Sequence, residues 1–276
     1  MCDAGAIILA GGRSARMGSS KAALDWHGST LLRRVTGLAQ RTVDGPVVVV
    51  RAPDQILPTL PSSIEVVSDA REGRGPLQGL AAGLAAIADR APIAYVSSTD
   101  VPLLHPAFIR RVIDAFTAEI DVVLPEVGGF RQPLSAGYRT TLLARLEELI
   151  GADKLKPAFL FAQSQVLGLT GEAMLSDPAL AAADPELASV RNLNEPDDYA
   201  LALTLPPPDI VVERSGALAT SGAPCTERVQ AWSLGEAADA IALTLDEHVA
   251  AALNGDQIDR DRELPLAAGD TVQFMR

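Results

Sequence analysis

The feature that most restricts how this chain can fold is a repeated alternation. Short, mainly apolar runs rich in β-branched residues, at 6–9, 47–50, 64–67, 93–96 and 121–124, are separated by stretches with helical spacing at 30–40, 76–88 and 106–116. Runs that are apolar on successive residues suit strands covered on both faces, and parallel strands need a crossover helix between them. The spacing therefore predicts βαβ units, with Pro46, Pro61, Pro92 and Pro125 marking strand edges. Leu142, Leu143, Leu146 and Leu149 recur at helical spacing within 140–150, which predicts one more core-facing helix.

Pro206-Pro207-Pro208 interrupts this pattern. Three consecutive prolines form a stiff connector that neither a helix nor a sheet interior accepts. The sequence thus divides into 1–205, a linker at 206–208 and a smaller unit at 209–276. That last unit holds twelve acidic and five basic residues, a net of −7 out of the chain's −12. Such an acidic balance excludes a general nucleic-acid binder, which needs a basic face to displace phosphate counterions. It leaves room for a small polyanionic substrate, because local charge can oppose the global sign. No apolar run approaches the ~20 residues of a membrane span. The first residues lack the basic segment of a secretory leader. Two cysteines, Cys2 and Cys225, exclude a disulfide scaffold and a cysteine-based zinc site, and three scattered histidines disfavour a histidine metal site. A reducing, cytoplasmic setting is expected, with no membrane partner.

The first strand candidate runs into Ala10-Gly11-Gly12-Arg13-Ser14-Ala15-Arg16-Met17-Gly18-Ser19-Ser20-Lys21. Glycines after a parallel strand allow a tight turn that aims N–H groups at an anion, and Arg16 and Lys21 bring charge to the same place. The spacing is neither that of a Walker A loop nor G-x-G-x-x-G. An ordinary glycine-rich turn with solvated basic residues is the alternative. Further segments at three places, the last of them a pair, carry polar residues. Ser68-Asp69 is followed by Gly75-Pro76-Leu77-Gln78-Gly79, where proline opens a helix whose N-terminus can meet an anion, or simply ends a surface turn. Ser97-Ser98-Thr99-Asp100-Val101-Pro102 places a carboxylate at the end of a central strand, as a ligand to a bound group or as a helix cap. Gly129 to Ala136, containing Gln132 and Pro133, and Arg191-Asn192-Leu193-Asn194-Glu195-Pro196-Asp197-Asp198 follow. Asn194 there either presents donors and acceptors to a ligand or caps the helix that Pro196 opens.

Taken in order, Leu9-Ala10-Gly11-Gly12-x-Ser14-x-Arg16-Met17-Gly18-x-x-Lys21 and the segments at the three later places closely resemble the MobA-like nucleotidyltransferases, over residues 5 to 205. The resemblance implies a three-layer, Rossmann-like α/β domain with a mostly parallel sheet. It implies transfer of GMP from GTP to molybdopterin, giving the guanine dinucleotide and pyrophosphate, with Mg²⁺ as cofactor. It assigns nucleotide contacts to Leu9, Ala10, Gly11, Gly12, Lys21, Asp69, Gly75, Pro76, Leu77 and Asp100, and catalytic roles to Lys21 on the phosphates, Arg16 beside them and Asp100 on the metal. Gln132, Pro133, Asn192 and Asn194 fall on the acceptor side. Ser20 departs from the family pattern, which has Asp there. Family members with Leu-Ala-Gly-Gly use GTP and those with Leu-Ala-Ala-Gly use CTP, so Gly11 is expected to leave room for a purine. A related transferase with another nucleotide or acceptor, and a nucleotide-binding regulator without turnover, are the alternatives. The resemblance also implies contact with molybdoenzymes or other cofactor-biosynthesis proteins.

In the last unit Asn254-Gly255 reads as a hairpin turn, and Gly269-Asp270 precedes an alternating final strand, Thr271 to Phe274. This end is similar to β-grasp sulphur carriers. Those carriers finish in Gly-Gly, and this sequence finishes Phe274-Met275-Arg276. A docking or structural module is therefore expected there, rather than sulphur transfer.

Overall fold

The computed structural model describes residues 3–11, 20–69, 75–218 and 225–276. The chain divides into two units, one of Met1–Trp26 and Thr30–Tyr199, the other of His27–Ser29 and Ala200–Arg276.

The described residues of the first unit build an eight-stranded sheet. Its members are β1 (Ala4–Leu9), β4 (Val47–Arg51), β5 (Glu65–Ser68), β6 (Ile93–Ser98), β7 (Val122–Val127), β8 (Phe130–Arg131), β9 (Ser135–Arg139) and β10 (Val166–Thr170). A small ribbon, β2 (Asp25–Trp26) and β3 (Ser29–Thr30), stands apart from it. The order is β10-β7-β9-β6-β1-β4-β5, with β8 paired to β7. β1 lies between β6 and β4, parallel to both, so that Leu9 is level with Ser98 on one side and Val50 on the other. β9 runs antiparallel between β6 and β7. The sheet is thus mostly parallel, as the alternation predicts.

β9 and β10 have no counterpart among the expected strands. Ser-Ala-Gly-Tyr-Arg is no apolar run, yet β9 is buried at its first four residues because it sits between two strands. Gly137 is required there, since a Cβ at this position would meet the Phe116 ring at 2.5 Å.

The helices are α1 (Leu31–Gln40), α2 (Pro76–Ile87), α3 (Pro106–Asp114), α4 (Leu143–Gly151), α5 (Pro157–Phe161), α6 (Gly171–Leu175), α7 (Pro178–Ala183) and α8 (Pro196–Leu203). Thr30 caps α1 by accepting from Arg33 N, and His105 caps α3 by accepting from Ala107 N through Nδ1. α2, α4 and Leu160 of α5 close one core over Ile7, Val48, Val50, Val96 and Leu124. α2 comes unusually close to β1 because it carries glycine at 79 and 83. A Cβ on Gly83 would lie 2.4 Å from Ile7 Cγ2, and one on Gly79 would lie 3.3 Å from Leu9 Cδ2. This contact lays α2 along β1, with Gly75 (φ 82°) and Pro76 leading into the helix. Tyr95 and Tyr138 are fully buried in the sheet, and burial pushes both phenols above their ordinary range.

The second unit holds β11 (Asp209–Ser215), β12 (Cys225–Gln230), α9 (Leu234–Ala240), β13 (Ala250–Leu253), β14 (Asp256–Ile258) and β15 (Thr271–Met275). Pro206 to Pro208 lie between α8 and β11. Its sheet runs β12-β11-β15-β13-β14, with the first and last strands parallel at the centre and the other pairs antiparallel. Asn254 (φ 54°) and Gly255 (φ 95°) form the two-residue turn between β13 and β14 that the sequence predicts. α9 packs Leu234, Ala237 and Ala238 against Ile210, Val212, Val272 and Phe274. Among the described residues no helix is long and apolar enough to cross a membrane.

Candidate active site

The carboxyl ends of β1, β4, β5 and β6 open on one edge of the large sheet, and the segments singled out in the sequence leave from that edge. Parallel strands make this convergence unavoidable, because every connection after a strand starts from the same side.

At the end of β6 the chain turns through Thr99 and Asp100. Two buried groups hold this turn. Arg34 of α1 donates from Nε to the Pro102 carbonyl at 2.5 Å. Leu193 N donates to the Asp100 carbonyl at 2.8 Å, which brings residues 192–194 alongside. That second strap is itself anchored. The buried Asp184 carboxylate accepts from Ala188 N (2.7 Å), Ser189 N (3.0 Å) and Ser189 Oγ (2.6 Å), and Ser189 Oγ in turn accepts from His105 N at 3.0 Å. A carboxylate taking three donors fixes the loop around it.

The result is a small cluster of side chains from three distant segments. Lys21 Nζ donates to Asp100 Oδ2 at 2.8 Å and to Asn194 Oδ1 at 3.1 Å, while Ser98 Oγ donates to Asp100 Oδ1 at 2.5 Å. The side chains of Lys21 and Asp100 are 21% and 14% exposed, so the pair is reachable and incompletely screened. Asn194 does not cap α8: its side chain faces Lys21, and Asp198 Oδ2 accepts from Glu195 N instead. Of the two asparagines only Asn194 reaches the cluster, since Asn192 Nδ2 turns back to the Val190 carbonyl at 3.3 Å.

Leu9, Ala10 and Gly11 end β1, with Ala10 N and Gly11 N both donating to the Val50 carbonyl. Asp69 follows β5 and its N–H donates to the Arg51 carbonyl at 2.8 Å. Gly75 and Pro76 form the N-terminus of α2, whereas the Leu77 side chain is buried in the core under the sheet. Gln132 and Pro133 stand beside the cluster's strand: Leu134, next in the chain, accepts from Ser98 N at 3.2 Å. The Pro133 carbonyl is taken by the Tyr138 hydroxyl and Gln132 Nε2 by the Phe130 carbonyl. Gly12 and Arg16 lie outside the described residues. Gly11 has a role within the chain itself, because a Cβ there would stand 3.2 Å from Ala52 N. The missing methyl is thus accounted for by the neighbouring backbone, independently of any purine.

Two features of this edge escaped the sequence reading. Lys154 and Lys156, with Lys21, are the only lysines of the sequence. They flank Leu155, whose carbonyl lies 3.6 Å from the Cβ position of Gly75 at the α2 N-terminus. The other is a cleft of about 340 Å³ lined by Leu124, Glu126, Arg131, Phe161 and Val166. Glu126 and Arg131 face each other across β7 and β8 at its rim, one residue before Gln132. Among the described residues no group of three or more His, Cys, Asp or Glu side chains is placed to hold a metal ion.

Residues 6–166 match the model of the MobA-like NTP transferase domain. The chain belongs to that family. It is a nucleotidyltransferase, and the matched segment contains the β1 end, Lys21, Asp69, the α2 N-terminus and Asp100. A probable molybdenum cofactor guanylyltransferase of Mycobacterium tuberculosis H37Rv is 39% identical over 166 residues, 58% of this chain and 80% of that protein. Among solved structures, molybdopterin-guanine dinucleotide biosynthesis protein A of Archaeoglobus fulgidus is similar in fold (TM-score 0.57, 22% identity, 72% of this chain and 96% of that one). A Mycobacterium tuberculosis H37Rv protein solved in complex with manganese is also similar (TM-score 0.50, 19% identity, 73% and 98%).

Proposed function

We propose that this chain transfers GMP from GTP to molybdopterin, giving the guanine dinucleotide and pyrophosphate. The observation that carries this reading is the Lys21–Asp100–Asn194 cluster at the carboxyl ends of β1 and β6. A terminal phosphate oxygen of the acceptor attacks the α-phosphorus of GTP, and the bond from that phosphorus to the bridging oxygen of pyrophosphate breaks. The attacking oxygen is already anionic, so no general base is needed. The protein's part is alignment and charge neutralisation.

Lys21 carries a mobile point charge. In the structure it is held by Asp100 and Asn194, and a triphosphate offers it stronger anionic partners. Arg16 adds a second cation in the sequence. Asp69 and the α2 N-terminus at Gly75 and Pro76 are assigned to the nucleoside side, and Gln132, Pro133, Asn192 and Asn194 to the acceptor side. The naming of the curated relatives supports guanylyl transfer.

The donor set at Asp100 fits Mg²⁺. One carboxylate, the Ser98 hydroxyl and the Asn194 carbonyl oxygen are all hard oxygen ligands, and Mg²⁺ takes one or two protein carboxylates with phosphate oxygens and water. A protein of similar fold has been solved in complex with manganese, which is in keeping with a divalent ion here. When bound, the ion supplies positive charge at the triphosphate oxygens. Asp100, with Ser98 beside it, would hold it, Lys21 then releasing Asp100 Oδ2 for the phosphates.

Asp100→Asn tests the reading. The amide keeps shape and loses charge, so the variant is expected to keep GTP-dependent thermal protection and to lose turnover by about a hundredfold or more. Pyrophosphate release is measured with Mg²⁺ and GTP, CTP or ATP, with and without molybdopterin. Wild-type turnover of Asp100→Asn at limiting Mg²⁺ would remove the metal role. Equal use of CTP would remove the guanine assignment, and release independent of molybdopterin would remove the acceptor.

A further inference from the structure

We propose that Gln55 is a positioning residue for Lys21, acting through Ser20; the inference rests on the nucleotidyl-transfer reading above. Gln55 closes the turn that follows β4. Pro53 presets its backbone for such a turn and Asp54 takes φ 58°, a left-handed conformation that short polar side chains tolerate. Gln55 N donates to the Ala52 carbonyl at 3.2 Å, and Arg51 Nη1 donates to the Gln55 carbonyl at 3.0 Å. The backbone of Gln55 is therefore fixed on both sides.

Its side chain is fixed as well. Oε1 accepts from Ala52 N at 2.9 Å, and Nε2 donates to the Ala10 carbonyl at 3.0 Å and to Ser20 Oγ at 3.3 Å. One amide thus joins the end of β1 to the residue immediately before Lys21. Ser20 gives an independent sign of this. It stands at the N-cap of the short 3₁₀ turn Lys21–Ala23, where a serine hydroxyl ordinarily accepts from a backbone N–H of the helix. Here it makes no such bond, and its oxygen is given to Gln55. The family's Asp at this position is replaced by a residue that an amide can hold without a charge.

The same turn bears on the nucleoside side. Ala52 N packs against Gly11, Arg51 Nε donates to Ser68 Oγ at 3.2 Å, and the Arg51 carbonyl holds Asp69 N. Gln55 touches none of the reacting groups. It sets where the Lys21 backbone starts, and a long flexible side chain reaches its target productively only from a fixed base.

Gln55→Ala is expected to weaken GTP binding and raise its KM about fivefold to tenfold, the worth of one or two lost hydrogen bonds. Its unfolding temperature without nucleotide should fall by no more than a few degrees with the fold retained, because Ala52 is only half-buried and water can take the place of its lost acceptor. Gln55→Glu keeps the acceptor for Ala52 N and can accept from the Ser20 hydroxyl, but cannot donate to the Ala10 carbonyl, so it should rescue only in part. Ser20→Ala should show part of the effect, with the double variant no worse than Gln55→Ala. The deciding comparison is made in a Lys21→Ala background, where Gln55→Ala should add nothing to the loss of GTP affinity. An equal loss in both backgrounds, or wild-type KM in both Gln55→Ala and Gln55→Glu, would overturn the proposal. Should Gln55→Ala fail to fold, Ser20→Ala and Gln55→Glu carry the same test. A wild-type chain that no nucleoside triphosphate protects would instead overturn the nucleotidyl-transfer reading, and the proposal with it.

Discussion

In the eight-stranded sheet β1, β4, β5 and β6 run parallel, and every loop that follows them leaves from one edge. In the five-stranded sheet the neighbours mostly alternate, so its turns are shared between two edges. Polar side chains follow this difference. In the second unit several bond to backbone and side chains at the same or the next turn, beside side-chain pairs between separate strands and turns such as Gln273 Nε2 to Glu213 Oε2 at 2.8 Å and Arg262 to Asp239. Asn254 Nδ2 donates to Asp270 Oδ1 at 2.9 Å, Asn254 Oδ1 accepts from Thr271 N, Asp270 Oδ2 accepts from Ala267 N, and Glu236 Oε2 accepts from Trp232 N. In the first unit Asp184 does the same structural work, but Lys21, Asp100 and Asn194 bond to one another's side chains across 79 and 173 residues. Hydrogen bonds to local backbone hold a turn. Side-chain pairs gathered at the carboxyl ends of parallel strands, where ligands bind, can exchange their partners for a ligand.

The comparison breaks most severely at Asp100, whose amide variant should lose turnover with both units folded. Next in size is Gly83→Ala. Its Cβ would be driven into Ile7 at 2.4 Å, so α2 must lift from β1 or Ile7 must leave its rotamer, at a cost of about 1–3 kcal/mol. The loss should appear in urea unfolding of the first unit, reported by Trp26 fluorescence in a Trp232→Phe background. An unchanged midpoint would mean that α2 does not lie where the Gly83 contact puts it. Asp270→Ala is the mirror experiment. It leaves the buried Ala267 N without its acceptor, worth about 1–3 kcal/mol, and should shift only the transition seen by Trp232 in a Trp26→Phe background. A fall in pyrophosphate release from this variant would link the second unit's turns to the chemistry and blur the contrast.

The parallel strands were legible because short, mainly apolar runs rich in β-branched residues, of which Val47–Val50 is the purest, leave little alternative, and the helix starts at Thr30 and Pro76 framed the helices between them. β9 was not, since Ser135-Ala136-Gly137-Tyr138-Arg139 has neither alternation nor an apolar run, and its strand state comes entirely from lying between β6 and β7. At the site, the strand-end position of Asp100 could be read from the run before it. That Asn194 serves Lys21 rather than α8 could not, because the choice depends on Leu193 N reaching the Asp100 carbonyl. Gln55 was equally hidden. A lone glutamine in a Pro-Asp turn carries no pattern until the fold brings Ala10 and Ser20 to its amide.

The smallest expected effect is the sharpest statement of the contrast: a chain truncated after Leu205 should transfer guanylate within a few-fold of the full chain. Lys21, Gln55, Asp69, Asp100 and Asn194 all precede that point, and the polar side chains of β11–β15 and their turns named above are engaged with one another. Residues 209–276 also carry a net −7, which opposes a triphosphate at close range and is screened beyond about 8–10 Å at ordinary ionic strength. The measurement is pyrophosphate release with GTP and molybdopterin, alongside thermal protection by GTP alone. If the shortened chain folds and is protected by GTP yet no longer transfers, the second unit supplies something the chemistry needs, and the division between a catalytic sheet and a self-contained one fails at that point.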